Sequence, residues 1–270
     1  MKFSEAIREL SASDVENAKY DAKRIFMHFG GFSQSDFLFG DPESENSALI
    51  EAIERRSARE PLQYIIGEVC FFKESYEVSP SCLIPRSDTE ILVEYAIAHI
   101  PKDGAFLDLC TGSGCIAIST LANTVGTTAT ALDISGDALN VALKNAEKNC
   151  VKDRIKFIEK DVTKEAHPGI YDAILSNPPY VTENDYENLS PEIYHEPKIA
   201  FVGGYDGLDF YKAIIEIYKN SLKPEGFFAF EIGYDQADSL CDIASRHSMS
   251  AEILYDYSSN PRVAVLKKLK

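Results

Sequence analysis

The stretch Phe106-Leu107-Asp108-Leu109-Cys110-Thr111-Gly112-Ser113-Gly114-Cys115, followed by the apolar residues 116–121, decides how this chain folds. An apolar strand runs through a glycine-bearing turn directly into an apolar helix. Glycines let the backbone come close to a ligand, and the helix N-terminus behind them offers unpaired N–H groups. This is a nucleotide-type site at the carboxyl end of a parallel strand, where open α/β sheets bind ligands. The loop alone does not choose the ligand, because a Gly-x-Gly turn also serves NAD and FAD enzymes or simply permits a tight bend.

Downstream of this stretch, strands and helices alternate. The pattern predicts strands at 105–109, 128–132, 155–158, 172–176, 226–231, 252–256 and 262–267, with helices near 114–123, 136–149, 207–221 and 235–247. Such alternation builds a parallel sheet with helices on both faces. Only residues 257–261 join the last two strands, too few for a parallel crossover, so these two should run antiparallel. The expectation is a Rossmann-like seven-stranded sheet with a reversed last strand near its edge.

Upstream, residues 1–60 have helical periodicity. Phe3, Ala6, Ile7 and Leu10 share one face, Val15, Ala18, Ala22, Ile25 and Phe26 another, and Leu49, Ala52 and Ile53 mark a further helix ending near Arg59. Ser13, with Glu16 three residues on, is placed to cap the second helix. From Pro61 the period changes, and residues 63–66, 70–72 and 76–78 read as short β-prone runs. The organisation expected is a helical bundle over 1–60, a β-hairpin linker over 61–85 and an α/β domain over 86–270. Its first helix should start at Ser87 or Asp88 and bury Ile91, Leu92, Tyr95 and Ala96.

With 45% hydrophobic and 26% charged residues, the 270-residue chain has an ordinary globular composition, which excludes disordered and collagen-like classes. The net charge of -16 argues against a broad cationic surface for nucleic acid, so stable nucleic-acid binding is not expected. No segment has the pattern of a signal peptide or a membrane span, and a cytoplasmic location is expected. The six cysteines form no Cys-x-x-Cys pair and have no histidine cluster beside them, so they read as reduced thiols and no metal site is expected.

The strand ends carry the chemistry. The second strand stops at Asp133, about 20 residues after the glycine loop, where a carboxylate can accept both hydroxyls of an adenosine ribose. Alternatively, Asp133 caps the helix that follows. The third strand leads to Asp161 and Val162, which would lie beside an adenine ring; the other reading of Asp161 is a residue that turns the chain in solvent. The fourth delivers Asn177-Pro178-Pro179-Tyr180 to the same edge. Two prolines there remove two N–H donors and fix two φ angles, so nearby carbonyls project as rigid acceptors.

Acceptors of that kind suit an –NH2 group. If the Asn177 side-chain oxygen and the Pro178 carbonyl each accept one N–H, a delocalised nitrogen can pyramidalise and aim its lone pair at the methyl group of S-adenosylmethionine. Tyr180 would pack over the planar group. Cytosine carbon-5 methylation needs a cysteine after proline, and the chain has no such pair. The residues therefore describe a class I S-adenosylmethionine-dependent methyltransferase acting on a planar nitrogen and releasing S-adenosylhomocysteine.

Around the tetrapeptide lie Leu83-Ile84-Pro85-Arg86 with Asp88-Thr89-Glu90, His195-Glu196-Pro197 with Ala200, Gly203-Gly204-Tyr205-Asp206-Gly207-Leu208, and Glu231-Ile232-Gly233 with Gln236. With these motifs nearly the whole chain resembles the HemK/PrmC-type protein glutamine methyltransferases. The resemblance implies methylation of the side-chain amide of the glutamine in the Gly-Gly-Gln motif of class-1 peptide chain release factors. A monomer is expected, with the helical domain docking the release factor, because an exposed loop glutamine needs outside orientation to enter a cleft. The resemblance also implies that Cys110, Thr111, Gly112, Ser113, Gly114, Asp133, Val162 and Asn177 line the cofactor site and that Asn177, Pro178, Pro179 and Tyr180 hold the glutamine; Asp161 joins the cofactor site on its strand-end position alone. Cys110 stands where many members have glycine, and Ser87 where many have proline. Arg86, Thr89 and Glu90 are further candidates, although a capped helix start accounts for Asp88, Thr89 and Glu90 equally well. The alternative is an adenine-N6 methyltransferase, which shares this type of tetrapeptide but flips its base and should carry a basic recognition domain; residues 1–60 mix acids with scattered bases.

Overall fold

The computed structural model describes residues 1–269. The chain forms two compact units, Met1–Glu68 with Ser190–His195, and Val69–Leu189 with Glu196–Lys270.

In the first unit the apolar stripes foreseen from the sequence face one another. Phe3, Ala6 and Leu10 of α1 (Phe3–Ala12), Ala22, Ile25 and Phe26 of α2 (Ala18–Gly30), and Leu49, Ala52 and Ile53 of α4 (Ser47–Ser57) form one core. The four-residue α3 (Asp36–Phe39) lies between α2 and α4 in the chain. Ser13 does not cap α2. It closes α1, donating its N–H to Glu9 and Leu10, because Asp14 then takes a left-handed φ of 56° and breaks the helical path. A buried ion pair, Arg56 Nε to Asp21 Oδ2 at 2.7 Å, ties α4 to α2. Arg56 and Arg59 also donate to Glu192 of the segment Ser190–His195. Burial opposes ionisation of that carboxyl, yet the arginine hydrogen bonds hold it down to about 2.

Residues 63–66 are not a strand but part of α5 (Leu62–Ile66). A short apolar run fits either period, and here Pro61 at one end and Gly67 at the other, with φ 85°, supply helix boundaries. The hairpin follows as β1 (Glu68–Phe71) and β2 (Glu74–Glu77), joined by two residues of which Phe72 has φ 57°.

The second unit contains α6 (Glu90–His99), β3 (Ala105–Leu109), α7 (Cys115–Ala122), β4 (Thr128–Asp133), α8 (Gly136–Lys148), β5 (Ile155–Glu159) and β6 (Tyr171–Ser176). These are followed by α9 (Glu183–Tyr186), α10 (Asp209–Tyr218), β7 (Leu222–Glu231), α11 (Ala237–Arg246), β8 (Met249–Tyr255) and β9 (Pro261–Lys268). The seven-stranded sheet has the order β5-β4-β3-β6-β7-β9-β8, and β9 runs antiparallel to both its neighbours. Strand residues alternate between two core layers: Phe106, Ala173 and Phe227 pack with α6 and α7 on one face, and Leu107, Ile174 and Phe228 with α10 and α11 on the other.

From β3 the chain moves to β4 on one side, and from β6 to β7 on the other. The carboxyl ends of β3 and β6 therefore flank the point where the winding reverses, which leaves a crevice there. Among the described residues no helix is long and apolar enough to cross a membrane.

Candidate active site

At that crevice the loops after β3, β4, β5 and β6 surround a cavity of about 220 Å³. Leu109 and Ser176 are register partners, and Ser176 Oγ donates to the Leu109 carbonyl at 2.6 Å, so the glycine loop and the tetrapeptide leave the sheet side by side. Cys110, Thr111, Gly112 and Ser113 line the cavity, as do Asp133, Asp161, Val162, Asn177 and Pro179. Three foreseen residues stand outside this lining. Gly114 turns the loop against α8, Pro178 is buried, and Tyr180 packs at the edge of the second core layer.

The loop takes its shape from left-handed residues. Cys110, Gly112 and Gly114 have φ 60°, 54° and 82°. A Cβ on Gly112 would meet nothing within 4 Å, so the backbone lies bare there. Asp133 holds this shape: its Oδ2 accepts the Gly112 N–H at 2.8 Å and its Oδ1 the Ser135 N–H at 3.0 Å. It does not cap α8, because Ser135 Oγ accepts the Ala138 N–H in that role. Burial raises the Asp133 pKa despite those hydrogen bonds. Asp161 Oδ1 accepts from the Thr163 N–H and hydroxyl while its residue lines the cavity, so it turns the chain and borders the site at once.

Asp108 sits beneath the loop, fully buried. Its Oδ2 accepts from the Thr111 hydroxyl at 2.5 Å and the Ala117 N–H at 3.2 Å, and its Oδ1 has no hydrogen-bond partner among the described residues. Burial pushes its carboxyl up to about 7, against the pull of those two donors. A carboxyl so displaced marks a place where negative charge lacks compensation.

Several residues at the site were not singled out by sequence reasoning. Glu196 is buried, accepting the Ile84 N–H at 2.9 Å and pairing with Arg86, so the Leu83-Ile84-Pro85-Arg86 segment is fastened beside the cavity. Gln236 donates to the Tyr180 carbonyl at 3.1 Å and accepts the Gly233 N–H at 2.9 Å. Glu231, at the end of β7, is 3% exposed and accepts from the Thr89 hydroxyl at 2.5 Å and the Tyr180 hydroxyl at 3.3 Å. Their only signal in the sequence was membership of the motifs quoted above, because, apart from the Gly233 N–H that Gln236 accepts, their partners lie far away along the chain.

The family described as the methyltransferase small domain matches residues 87–197, and that described as the PrmC N-terminal domain matches residues 3–67. The release factor glutamine methyltransferase of Thermodesulfovibrio yellowstonii is 37% identical over 279 residues, covering 100% of this chain and 99% of the relative. That of Fusobacterium nucleatum is 33% identical over 276 residues, covering 98% of this chain and 78% of the relative. Among solved structures, the ribosomal protein L11 methylase of Lactobacillus delbrueckii subsp. bulgaricus aligns with a TM-score of 0.53 at 18% identity, over 72% of this chain and 84% of that one. That last likeness is one of fold.

Proposed function

The chain belongs to the release factor glutamine methyltransferases, and from that premise we propose that it methylates the side-chain amide nitrogen of the Gly-Gly-Gln glutamine in class-1 peptide chain release factors. The observation that carries the reading is the meeting of Asn177 and Pro179 of the tetrapeptide with the glycine loop and Asp133 at one cavity.

The residues of this cavity fit S-adenosylmethionine. Gly112 offers bare backbone, and the half-buried Asp133 in the wall and the fully buried Asp108 beneath the loop have carboxyls pushed up by desolvation, a setting that a sulfonium cation relieves. On this reading the loop 110–114 and Asp133 hold the nucleoside and methionine portions, with Asp161 and Val162 against the adenine. S-adenosylmethionine supplies a methyl carbon made electrophilic by its sulfonium.

Everything else falls to this chain's own groups. An amide nitrogen is a poor nucleophile because its lone pair is delocalised into the carbonyl. Asn177 Oδ1 and the Pro178 carbonyl each accept one N–H of the glutamine amide, favouring a pyramidal nitrogen whose lone pair points toward the cavity. Pro179 forms part of the wall, and Tyr180 restrains the plane of the group. Fixed acceptors of this kind need no reorganisation as charge develops. The nitrogen becomes acidic only once methylated, so the site needs no strong base. The helical unit serves as the docking surface for the protein substrate, one chain suffices for the reaction, and the net charge of -16 accords with a protein rather than a nucleic-acid substrate in the cytoplasm.

Labelled S-adenosylmethionine offered in parallel with a release factor, free glutamine and duplex DNA tests this. Label is expected on the Gly-Gly-Gln glutamine alone; label on DNA alone overturns the reading. Asn177→Ala is expected to lower kcat about 10²–10³-fold, the scale for losing one preorganised oxyanion-hole-type partner. Asp133→Ala should weaken cofactor binding in calorimetry.

A further inference from the structure

The amide of Asn177 has nearly the same shape whichever way it is turned, yet only one orientation can receive an –NH2 group. A cavity facing Nδ2 would set donor against donor. The neighbouring residues behind Asn177 decide which end faces out.

Thr89 precedes α6, where a hydroxyl ordinarily caps the helix. It makes no side-chain capping bond. Its hydroxyl donates instead to Glu231 Oε2 at 2.5 Å, with Thr89 2% and Glu231 3% exposed. That hydrogen is committed, so toward Asn177 the Thr89 oxygen presents lone pairs only. Asn177 must then offer Nδ2, which lies 3.4 Å from Thr89 Oγ1, and its Oδ1 is turned away as an acceptor. The other carboxylate oxygen of Glu231 accepts the Tyr180 hydroxyl at 3.3 Å, and the Glu231 carbonyl accepts that of Tyr211 at 2.8 Å. One buried carboxylate thus reaches both ends of the tetrapeptide.

We propose that Thr89 and Glu231 are positioning residues that set the orientation of the Asn177 amide and tether Tyr180, so that the tetrapeptide presents acceptors to the substrate –NH2. This rests on the function proposed above, since the arrangement matters only for a substrate that donates. It also has a charge dependence. Glu231 is faced by Asp88, which pairs with Arg262 at 3.2 Å, by Arg262 itself, and by Tyr180 and Cys115. Burial pushes its carboxyl up to about 7. Once protonated toward Thr89, Glu231 becomes the donor on that line, Thr89 turns its own hydrogen elsewhere, and the constraint on Asn177 is released. Activity should therefore fall as pH drops through about 7, with the ionised form competent.

Thr89→Val, Thr89→Ser and Glu231→Gln test the proposal with the full-length protein. Thr89→Val and Glu231→Gln are expected to lower kcat on the release factor by about 10–100-fold, the scale of a misplaced reacting group, with cofactor Kd changed by less than about threefold. Thr89→Ser, which keeps the hydroxyl, should restore kcat to within about threefold. The fall of kcat/KM below about pH 7 should vanish in Glu231→Gln. In ¹H–¹⁵N spectra of the protein without substrate, Thr89→Val should shift the Asn177 side-chain amide resonances and Thr89→Ser should leave them near their original positions. Unchanged kcat in Thr89→Val, or equal impairment in Thr89→Ser, overturns the proposal. Should the wild-type protein fail on the release factor, the substrate assignment falls, and the Asn177 resonances still decide this inference: unmoved by Thr89→Val, they overturn it.

Discussion

Gly114 and Cys110 take the same left-handed turn at different cost. At Gly114, φ is 82°, and a Cβ would lie 2.8 Å from Ile118 Cδ1 and 3.1 Å from Ala142 Cβ. Strain and crowding act together there, so Gly114→Ala is expected to destabilise the fold by about 1–3 kcal/mol in urea titrations. Cys110 already bears a side chain at φ 60°, where an L-residue gives up about 1–2 kcal/mol. Its packing against the second core layer offsets that strain, so Cys110→Gly should leave stability within about 1 kcal/mol of the wild type. At this scale the glycine loop, Asp133 and Asn177 were legible, because each is a distinctive residue at a strand end. The Thr89–Glu231 hydrogen bond was not, since its partners stand 142 residues apart and neither is unusual in its local context.

Elements carry the next layer of control. α11 begins beside the tetrapeptide, and Gln236, its N-cap residue, holds three backbone groups: the carbonyls of Tyr180 and Gly207 and the N–H of Gly233. Gln236→Leu leaves them without this partner, and a loss of about 1–3 kcal/mol in urea midpoints is expected. The same variant should raise KM for the release factor and leave cofactor affinity unchanged, because the Tyr180 carbonyl belongs to the tetrapeptide end and not to the glycine loop. Strands and helices of the sheet were readable from alternating periodicity, as was the antiparallel ending. Two local readings failed for physical reasons: residues 63–66 form a helix set by its flanking Pro61 and Gly67, and Ser13 closes α1 where the chain turns left-handed at Asp14. The insertion of β9 between β7 and β8 was not foreseen, because neighbour order depends on contacts that no short window contains.

Across the whole molecule, buried acids make stability depend on pH. Asp108 and Glu231 rise from 3.8 and 4.5 to about 7 in the folded chain, so between those values the folded form binds protons that the unfolded form has released. Stability from these two groups is therefore full below about pH 4, declines as pH rises, and is flat above about pH 7. Glu192 has the opposite sign: held down to about 2, it loses its contribution as pH falls from 4.5. Urea midpoints should decline from about pH 5 to about pH 7 and then level, and Asp108→Asn should remove part of that decline. A midpoint that rises over this interval would count against the burial of these carboxyls. The amino-acid sequence by itself determined the α/β alternation, the helical first segment and the residue types at each strand end, because those follow from local periodicity and backbone chemistry. Only the tertiary structure decided that β3 and β6 lie side by side, that their loops share one cavity, and that Glu231 reaches both Thr89 and Tyr180. Those are meetings between distant segments, set by how the sheet closes and which faces it buries, and the orientation of Asn177 in the tetrapeptide depends on them.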